Sequence, residues 1–232
     1  MTSDITAITV VYNTKELIER AYNSVRRFHP DMKMIIIDNS EKSDPCYFYL
    51  ESLNGKFTDV IHTGKNIGHG IGMDKGIREV RTKYALIFDS DIIMLRSPIE
   101  KMLVMMDSDT YGIGWIYEIG PDGFDFGTPG RNHYRAIPYL HPYFHLLNVD
   151  NYKKFAPYCH HGAPCYKAMV DIYEHKLSEK ILKQFPGLTG HTSGRGINWI
   201  GRPSKYIQHD FGGTRMANKL AGKKEIEGTW QK

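Results

Sequence analysis

Residues 84–94, YALIFDSDIIM, place two carboxylates within an apolar run: Asp89 and Asp91, separated by Ser90. Side chains two residues apart on a strand point the same way, so both carboxylates are expected to converge on one point. Two carboxylates at such a short distance raise each other's pKa unless a cation lies between them. The spacing therefore indicates a divalent metal site, with a pair of solvated aspartates in a turn as the alternative.

The elements that would position these carboxylates alternate along the first half of the chain. Short apolar runs rich in β-branched residues predict buried strands, and apolar residues at helical spacing predict helices, the first of them capped by Asn13 and ended by Pro30. Strands are predicted over residues 5–12, 32–40, 59–64 and 83–89, and helices over residues 13–29, 46–53 and 66–81. This alternation predicts an α/β fold with a mostly parallel central sheet flanked by helices.

Polar residues follow each predicted strand. They are Tyr12 with Asn13, Asp38 with Asn39, Lys65 with Asn66, and Asp89 with Asp91. Ligands of such sheets bind at the carboxyl ends of the strands, near a switch in strand order, so we expect one shared site. Mg²⁺ and Mn²⁺ bind carboxylates together with substrate phosphates. Such an ion would stabilise the charge that builds on a departing diphosphate.

The second half of the chain has weaker patterns. A helix is predicted over residues 97–106, a strand followed by a short helix over residues 145–155, and another helix over residues 163–177. Residues 111–147 are rich in aromatic residues, glycine and proline and are interpreted mostly as loop. Without repeats or a low-complexity linker, residues 1–232 are predicted to form a single domain, with a smaller half from residue 96 onward.

Composition excludes several classes of protein. The chain is 41% hydrophobic and 24% charged, with a net charge of +4, which is ordinary for a globular protein. The basic residues form no patch or motif typical of nucleic-acid binding. No apolar run approaches the roughly 18 residues of a membrane span, and the N-terminus lacks the pattern of a signal peptide. Three cysteines, an odd number, fit reduced thiols, so a cytoplasmic protein is expected.

Four segments together resemble the nucleotide-binding half of a glycosyltransferase with the GT-A fold, of the family 2-like group. The segments are ITVVYN, IIIDNS, GKNIGHGIGMDKGI and YALIFDSDI, all within residues 5–94. The resemblance implies a nucleoside diphosphate sugar as donor, most often a UDP-sugar, with Mn²⁺ or Mg²⁺ as cofactor. It also implies a glycan or glycolipid acceptor, with residues 1–95 binding the nucleotide and residues 96–232 binding the acceptor.

The resemblance also assigns roles to residues. Those implied to line the nucleotide, the diphosphate or the donor sugar are Val11, Tyr12, Asn13, Asp38, Lys65, Asn66, Gly68, Asp89 and Ser90. Asp91 is implied to be the main metal ligand, with Asp89 beside it. The segment IQHDFGGTR, residues 207–215, resembles the closing segment of such enzymes, in which His209 completes the metal site and the next residues contact the diphosphate, here Gly212, Gly213, Thr214 and Arg215. One departure is Asp74, where many relatives have asparagine.

A general base must accept the proton of the acceptor hydroxyl in an inverting transfer. The resemblance implies a carboxylate at the start of a helix on the acceptor side, and Asp171 is the first choice. Glu174, Asp122 and Asp125 are the alternatives, because the usual Glu-Asp dipeptide is absent.

Other interpretations fit less well. The glycines from Gly68 to Gly76 lack the G-x-G-x-x-G spacing of dinucleotide-binding proteins. Cys159 and Cys165, with two histidines between them, lack regular zinc-ligand spacing, and a turn that caps a helix is preferred. A sugar-nucleotide nucleotidyltransferase would carry a glycine-rich loop after the first strand, where this chain has VVYNTKEL. A dehalogenase-type phosphatase would carry its D-x-D on that strand, and a non-catalytic binding module is disfavoured by the intact D-x-D.

Overall fold

A computed structural model describes residues 2–120, 136–159, 162–188 and 204–210. The strands are β1 Ile5–Val11, β2 Lys33–Asp38, β3 Thr58–His62, β4 Tyr84–Phe88, β5 Ile92–Met94, β6 Gly112–Ile119, β7 Ile137–Asn148, β8 Leu182–Gln184 and β9 Ile207–His209. The α-helices are α1 Lys15–Phe28, α2 Pro45–Glu51, α3 His69–Glu79, α4 Ile99–Met105, α5 Val149–Tyr152, α6 Tyr166–Glu174 and α7 Ser178–Ile181, and a 3₁₀ helix spans Thr2–Asp4.

The central sheet has seven strands in the order β3-β2-β1-β4-β7-β6-β8, and β5 and β9 form a separate pair. Strands β1 to β4 are parallel to one another, while β7 runs antiparallel between β4 and β6. The chain winds outward from β1 to β3 and then returns to place β4 on the other side of β1, which makes the β1–β4 boundary a switch in strand order. The predicted α/β fold, with its mostly parallel sheet, is confirmed.

Helices cover both faces of the sheet, because each presents an apolar stripe. Ile18, Ala21 and Val25 of α1 pack on one face, in a core that includes Ile5 and Ala7. On the other face, α3 and α6 pack in a second core through their own buried residues, Met73, Ile77, Met169 and Ile172. Burial of one such side chain contributes about 1.5–3 kcal/mol to the free energy of unfolding. The two cores therefore hold in place the sheet edge on which the polar residues lie.

Two glycines allow α3 to approach the sheet closely. A Cβ atom on Gly72 would lie 2.8 Å from Cγ1 of Val10, and one on Gly76 would lie 2.7 Å from Cγ2 of Ile8. Both distances are shorter than a carbon–carbon contact allows. The glycine run therefore serves helix–strand packing, and it fixes the start of α3 relative to the end of β1.

Two local predictions were wrong. Asn13 is not the N-cap of α1; that position is Thr14, and Asn13 has a φ of 53°, in the left-handed region that asparagine tolerates. Much of residues 111–147 is strand rather than loop, because β6 and β7 pair along their length. Pro142 is tolerated within β7 because it lies where the register jumps from Gly114 paired with His145 to Ile116 paired with Leu140.

None of the helices described is long and apolar enough to span a bilayer.

Candidate metal and nucleotide site

Asp89 and Asp91 follow β4 directly, and the β5–β9 pair brings His209 to them. Ile92, one residue after Asp91, pairs with His209, and the backbone N–H of Asp210 donates to the carbonyl of Asp91 at 2.9 Å. Apolar side chains of both strands, such as those of Ile92 and Ile207, are buried in the core beneath. The site is therefore assembled from two chain segments more than a hundred residues apart.

The three side chains form a compact group. Nε2 of His209 lies 3.2 Å from Oδ1 of Asp91 and 3.5 Å from Oδ2 of Asp89. Each residue offers one ligand atom, and these atoms all lie within 4.8 Å of one another. The ring of Tyr143 stacks on that of His209, with centroids 5.0 Å apart and planes 7° from parallel, which fixes the imidazole orientation.

Local charges show that this point favours a cation. Burial alone would lower the pKa of His209, yet the carboxylates of Asp91 and Asp89 raise it above its ordinary value. Burial would likewise raise the pKa of Asp89, but the contact and charge of His69, with the charges of His209 and His141, lower it to about 2. Asp89 is therefore ionised at neutral pH.

The donor set fits Mn²⁺ or Mg²⁺. Carboxylates are the ligands that both of these hard cations prefer. Imidazole is a common ligand of first-row transition metals. Oδ1 of Asp89 is buried without a hydrogen-bond partner among the described residues. A buried carboxylate oxygen is costly in that state, so a donor beside Oδ1, with an ion on the side of Oδ2 that faces His209, would stabilise the arrangement.

An irregularity in β7 carries two further aromatic side chains to the site. The backbone N–H of Asp89 donates to the carbonyl of Tyr143 at 3.0 Å, and that of Tyr143 donates to Nδ1 of His141 at 3.1 Å. Because Nδ1 of His141 accepts, its ring proton is on Nε2 in the neutral form. Neither residue was among the site residues predicted from the sequence. The signal was the recurrence of Tyr139, His141, Tyr143 and His145 at the period of a strand.

Loops after β1 and β2 are tied together at the same edge. The backbone N–H of Asn13 donates to Oγ of Ser40 at 2.9 Å, and Oδ1 of Asn13 accepts from the backbone N–H of Glu41 at 3.1 Å. Nδ2 of Asn13 is buried with no partner among the described residues. Val11 is buried at the end of β1, and its carbonyl accepts from Asn39. The structure thus brings together the polar residues that follow the first two strands.

Asp38 is held inside the protein at the end of β2. Its Oδ1 accepts from the backbone N–H of Ser40 at 2.8 Å, and its Oδ2 lies 2.7 Å from Nδ1 of His62, which also contacts Glu51 through Nε2 at 2.8 Å. The Asp38 side chain has 0% exposure. Its contact with a nucleoside stays a prediction, and the contact would require the pair with His62 to open.

The loop after β3 lies beside these residues. Oδ1 of Asn66 accepts from the backbone N–H of Gly68 at 2.8 Å, and Nδ2 of Asn39 donates to the carbonyl of Gly68 at 3.3 Å. Gly68 has a φ of 90°, which a side chain would strain, so the glycine permits the sharp entry into α3. Tyr12 and Lys65, both with solvent exposure, flank this network, and their roles stay predictions.

Other predicted site residues have different surroundings. Oδ2 of Asp171 accepts from the backbone N–H of Ala156 at 2.7 Å, and Oδ1 pairs with Nδ1 of His175 at 3.2 Å. No contact of Asp171 with Asp89, Asp91 or His209 occurs among the described residues, and its role as base stays a prediction.

Some predictions concern residues that lie outside the described part of the chain. They are those on Asp122, Asp125, Gly212, Gly213, Thr214, Arg215, His160 and His161. Near the ends of the turn predicted between Cys159 and Cys165, the backbone N–H of Cys159 donates to the carbonyl of Pro164 at 3.2 Å.

Asp74, which stands where many relatives have asparagine, joins two helices. Its carboxylate accepts from the hydroxyl of Tyr152 at 2.8 Å and from Nε of Arg78 at 2.7 Å, and so links α3 to α5.

A parallel sheet with this strand order and a D-x-D at its switch point define a GT-A fold. The profile of glycosyl transferase family 2 matches residues 6–172, well over half of the chain, and the chain belongs to that family. A comparison with curated protein sequences gave no match.

Solved structures share the fold at low sequence identity. Mannosyltransferase PcManGT from Pyrobaculum calidifontis, in complex with GDP-Man and Mn²⁺, has a TM-score of 0.57 at 10% identity, over 80% of this chain and 55% of that one. A fragment of TarS from S. aureus has a TM-score of 0.52 at 12% sequence identity, over 78% of this chain and 58% of that one. The complex of this fragment with UDP has a TM-score of 0.53 at 13% identity, over 78% of this chain and 57% of that one. The chain thus spans little more than half the length of these structures.

Proposed function

We propose that this protein transfers a sugar from a nucleoside diphosphate sugar to an acceptor hydroxyl, with Mn²⁺ or Mg²⁺ held by Asp89, Asp91 and His209. The observation that carries the proposal is the group of these three side chains, whose ligand atoms lie within 4.8 Å at the carboxyl end of β4 in a family 2 chain. When bound, the ion would offset the charge that builds on the departing diphosphate.

The residues around this group divide the remaining tasks. Asp89, Asp91 and His209 hold the ion, while the ends of β1, β2, β3 and β4 line the nucleotide. The lining residues are Val11, Tyr12, Asn13, Asp38, Lys65, Asn66, Gly68 and Ser90. Gly213 and Arg215 contact the diphosphate in this proposal. The ring of His141 lies 6.1 Å from that of His209 between centroids, and its Nε2–H is proposed to donate to an oxygen of the donor.

The donor proposed first is a UDP-sugar, with a GDP-sugar as the second candidate. TarS in complex with UDP and PcManGT in complex with GDP-Man share the fold, which supports testing both nucleotides. The acceptor proposed is the hydroxyl of a glycan or a glycolipid. The cytoplasmic location stays a prediction.

The transfer is proposed to invert the anomeric carbon. The acceptor oxygen attacks that carbon while the bond to the diphosphate breaks, and a carboxylate takes the hydroxyl proton. Asp171 is the proposed base, which would have to exchange its bond to Ala156 for one to the acceptor.

The test is a thermal-shift panel of UDP, GDP, dTDP and CMP, each with and without Mn²⁺, followed by release of nucleotide from the matching sugar donor. A nucleotide at 100 times its dissociation constant adds ~2.7 kcal/mol to the free energy of unfolding. For a chain of this size that raises the midpoint by roughly 5 to 10 °C. A metal-dependent rise with one nucleotide is the expected result. A folded protein that responds to no nucleotide would refute the proposal.

A further inference from the structure

The two oxygens of Asp89 face two different imidazoles. Nε2 of His209 lies 3.5 Å from Oδ2, while Nε2 of His69 lies 3.2 Å from Oδ1. His209 also contacts Asp91, so Oδ2 is the oxygen of Asp89 that faces the candidate metal ligands. Oδ1 faces the start of α3 instead. One carboxylate therefore links the metal group to a helix that contributes no metal ligand.

Oδ1 of Asp89 needs a donor on the side of His69. It is buried, and the geometry at 3.2 Å from His69 falls short of a hydrogen bond, so the oxygen has no hydrogen-bond partner among the described residues. A buried, ionised oxygen in that state is unfavourable. A small rotation of the His69 ring would align its N–H with Oδ1. His69 is thus placed to satisfy this oxygen once Oδ2 is engaged by an ion.

The position of His69 is fixed by the backbone around it. His69 is the first residue of α3, and it follows Gly68, which Asn66 holds by a hydrogen bond of 2.8 Å. The helix is in turn held against β1 at Gly72 and Gly76. The His69 side chain remains 25% exposed, so its replacement opens no cavity in the core. A ring carried by such a rigid element can define the orientation of its partner.

We propose that His69 is a positioning residue of the metal site, which holds Oδ1 of Asp89 so that Oδ2 is presented to the ion together with Asp91 and His209. The proposal rests on the metal-dependent function proposed above and adds a residue to it. His69 touches the ligand and not the ion. Groups that orient a metal ligand in this way typically change metal affinity 10- to 100-fold when they are removed.

The test measures Mn²⁺ binding to the full chain without nucleotide, by isothermal titration and by the electron paramagnetic resonance signal of free Mn²⁺. His69→Ala is expected to raise the Mn²⁺ dissociation constant about 10- to 100-fold at an unchanged thermal midpoint. His69→Gln, which keeps an N–H donor, is expected to recover part of that loss. Ile71→Ala is the matched control, because Ile71 lies on the same helix and is 49% exposed; it should bind Mn²⁺ as the wild type does.

Other outcomes would overturn the proposal. Unchanged Mn²⁺ affinity in His69→Ala would show that Asp89 is oriented without the ring, and tighter binding would show that His69 competes with the ion. A wild-type protein that binds a nucleotide but no Mn²⁺ would overturn this role while the sugar-transfer proposal stands. A wild-type protein that binds neither would overturn both.

Discussion

Asp89 shows, at the scale of a residue, how a buried carboxylate stays charged. Its burial would favour the neutral acid, but His69, His209 and His141 outweigh that cost and hold its pKa at about 2. The same imidazoles restrict where its oxygens point. The site thus keeps a negative charge ready at one place, which is the requirement for binding a cation and a diphosphate together.

Replacement of Asp91 by asparagine tests the metal group directly. Asp91→Asn keeps the size of the side chain and removes one of two anionic ligands, so we expect the Mn²⁺-dependent part of the thermal shift with UDP or GDP to disappear. Sugar transfer should fall at least about 100-fold, because an oxygen ligand and the charge opposite His209 are both lost. The measurement is the thermal midpoint with and without Mn²⁺, together with nucleotide release from the donor.

A matched control for this change is Asp150→Asn, which alters a carboxylate whose side chain is 84% exposed. It should leave both readouts as in the wild type. If Asp91→Asn retained the metal-dependent shift, the ion would not be bound by this group.

Single residues differed in how far the sequence revealed them. Asp89 and Asp91 were predicted because their type and their position after a strand indicate metal chemistry, and His209 because its segment resembles the closing segment of such enzymes; the three do converge. His69 was missed because a histidine at a helix start has no distinctive local pattern, and His141 because two prolines interrupt the strand period on which it lies. Their importance comes from the contact of His69 with Asp89 and from the charge of His141 acting on Asp89, which only the folded chain defines.

At the scale of elements, α3 and β7 set the geometry of the site in different ways. The sequence predicted α3 from its periodicity, and its glycines allow the close approach to β1. It did not predict most of β7, because Pro138 and Pro142 disfavour a strand. The structure accommodates Pro142 in the register jump, and that irregularity is what directs His141 and Tyr143 to the D-x-D.

Gly76→Ala tests the close packing of α3. Alanine favours a helix over glycine by about 1 kcal/mol, but its Cβ would lie 2.7 Å from Cγ2 of Ile8, which has 0% exposure and little room to move. Overpacking of this kind costs about 1–3 kcal/mol. We therefore expect a net loss of stability of up to about 2 kcal/mol by urea unfolding, because the strain exceeds the gain in helix propensity.

The control for Gly76→Ala is Gly55→Ala, where the nearest atom to an added Cβ is 4.0 Å away. That change should leave stability unaltered or raise it slightly, since it restricts the unfolded chain. An equal effect at both positions would contradict the packing role assigned to Gly76.

At the scale of the whole molecule, folding joins distant segments at one edge of the sheet. Alternation of strands and helices was enough to predict the parallel half of the sheet. The pairing of β5 with β9 was not predictable from local pattern, because each strand has only three residues and its partner lies more than a hundred residues away. Such pairing depends on the cores that both strands help to form.

The buried His145 links the stability of the whole fold to pH. It lies within β7 at 0% exposure, its Nδ1 donates to the carbonyl of His141 at 3.0 Å, and burial lowers its pKa from 6.5 to about 4. The folded state therefore binds this proton less readily than the unfolded state does. The contribution to stability is complete above pH 6.5 and is lost as the pH falls towards 4, a total of about 3 kcal/mol.

Urea unfolding without metal, between pH 7.5 and 4.5, can isolate this contribution by comparing the wild type with His145→Gln. The variant lacks the titrating ring, so the difference in free energy of unfolding between the two proteins should shrink as the pH falls through about 6 to 4. Parallel curves for His145→Gln and the wild type would mean that His145 is not held neutral by the fold, and that acid weakens the sheet through other groups.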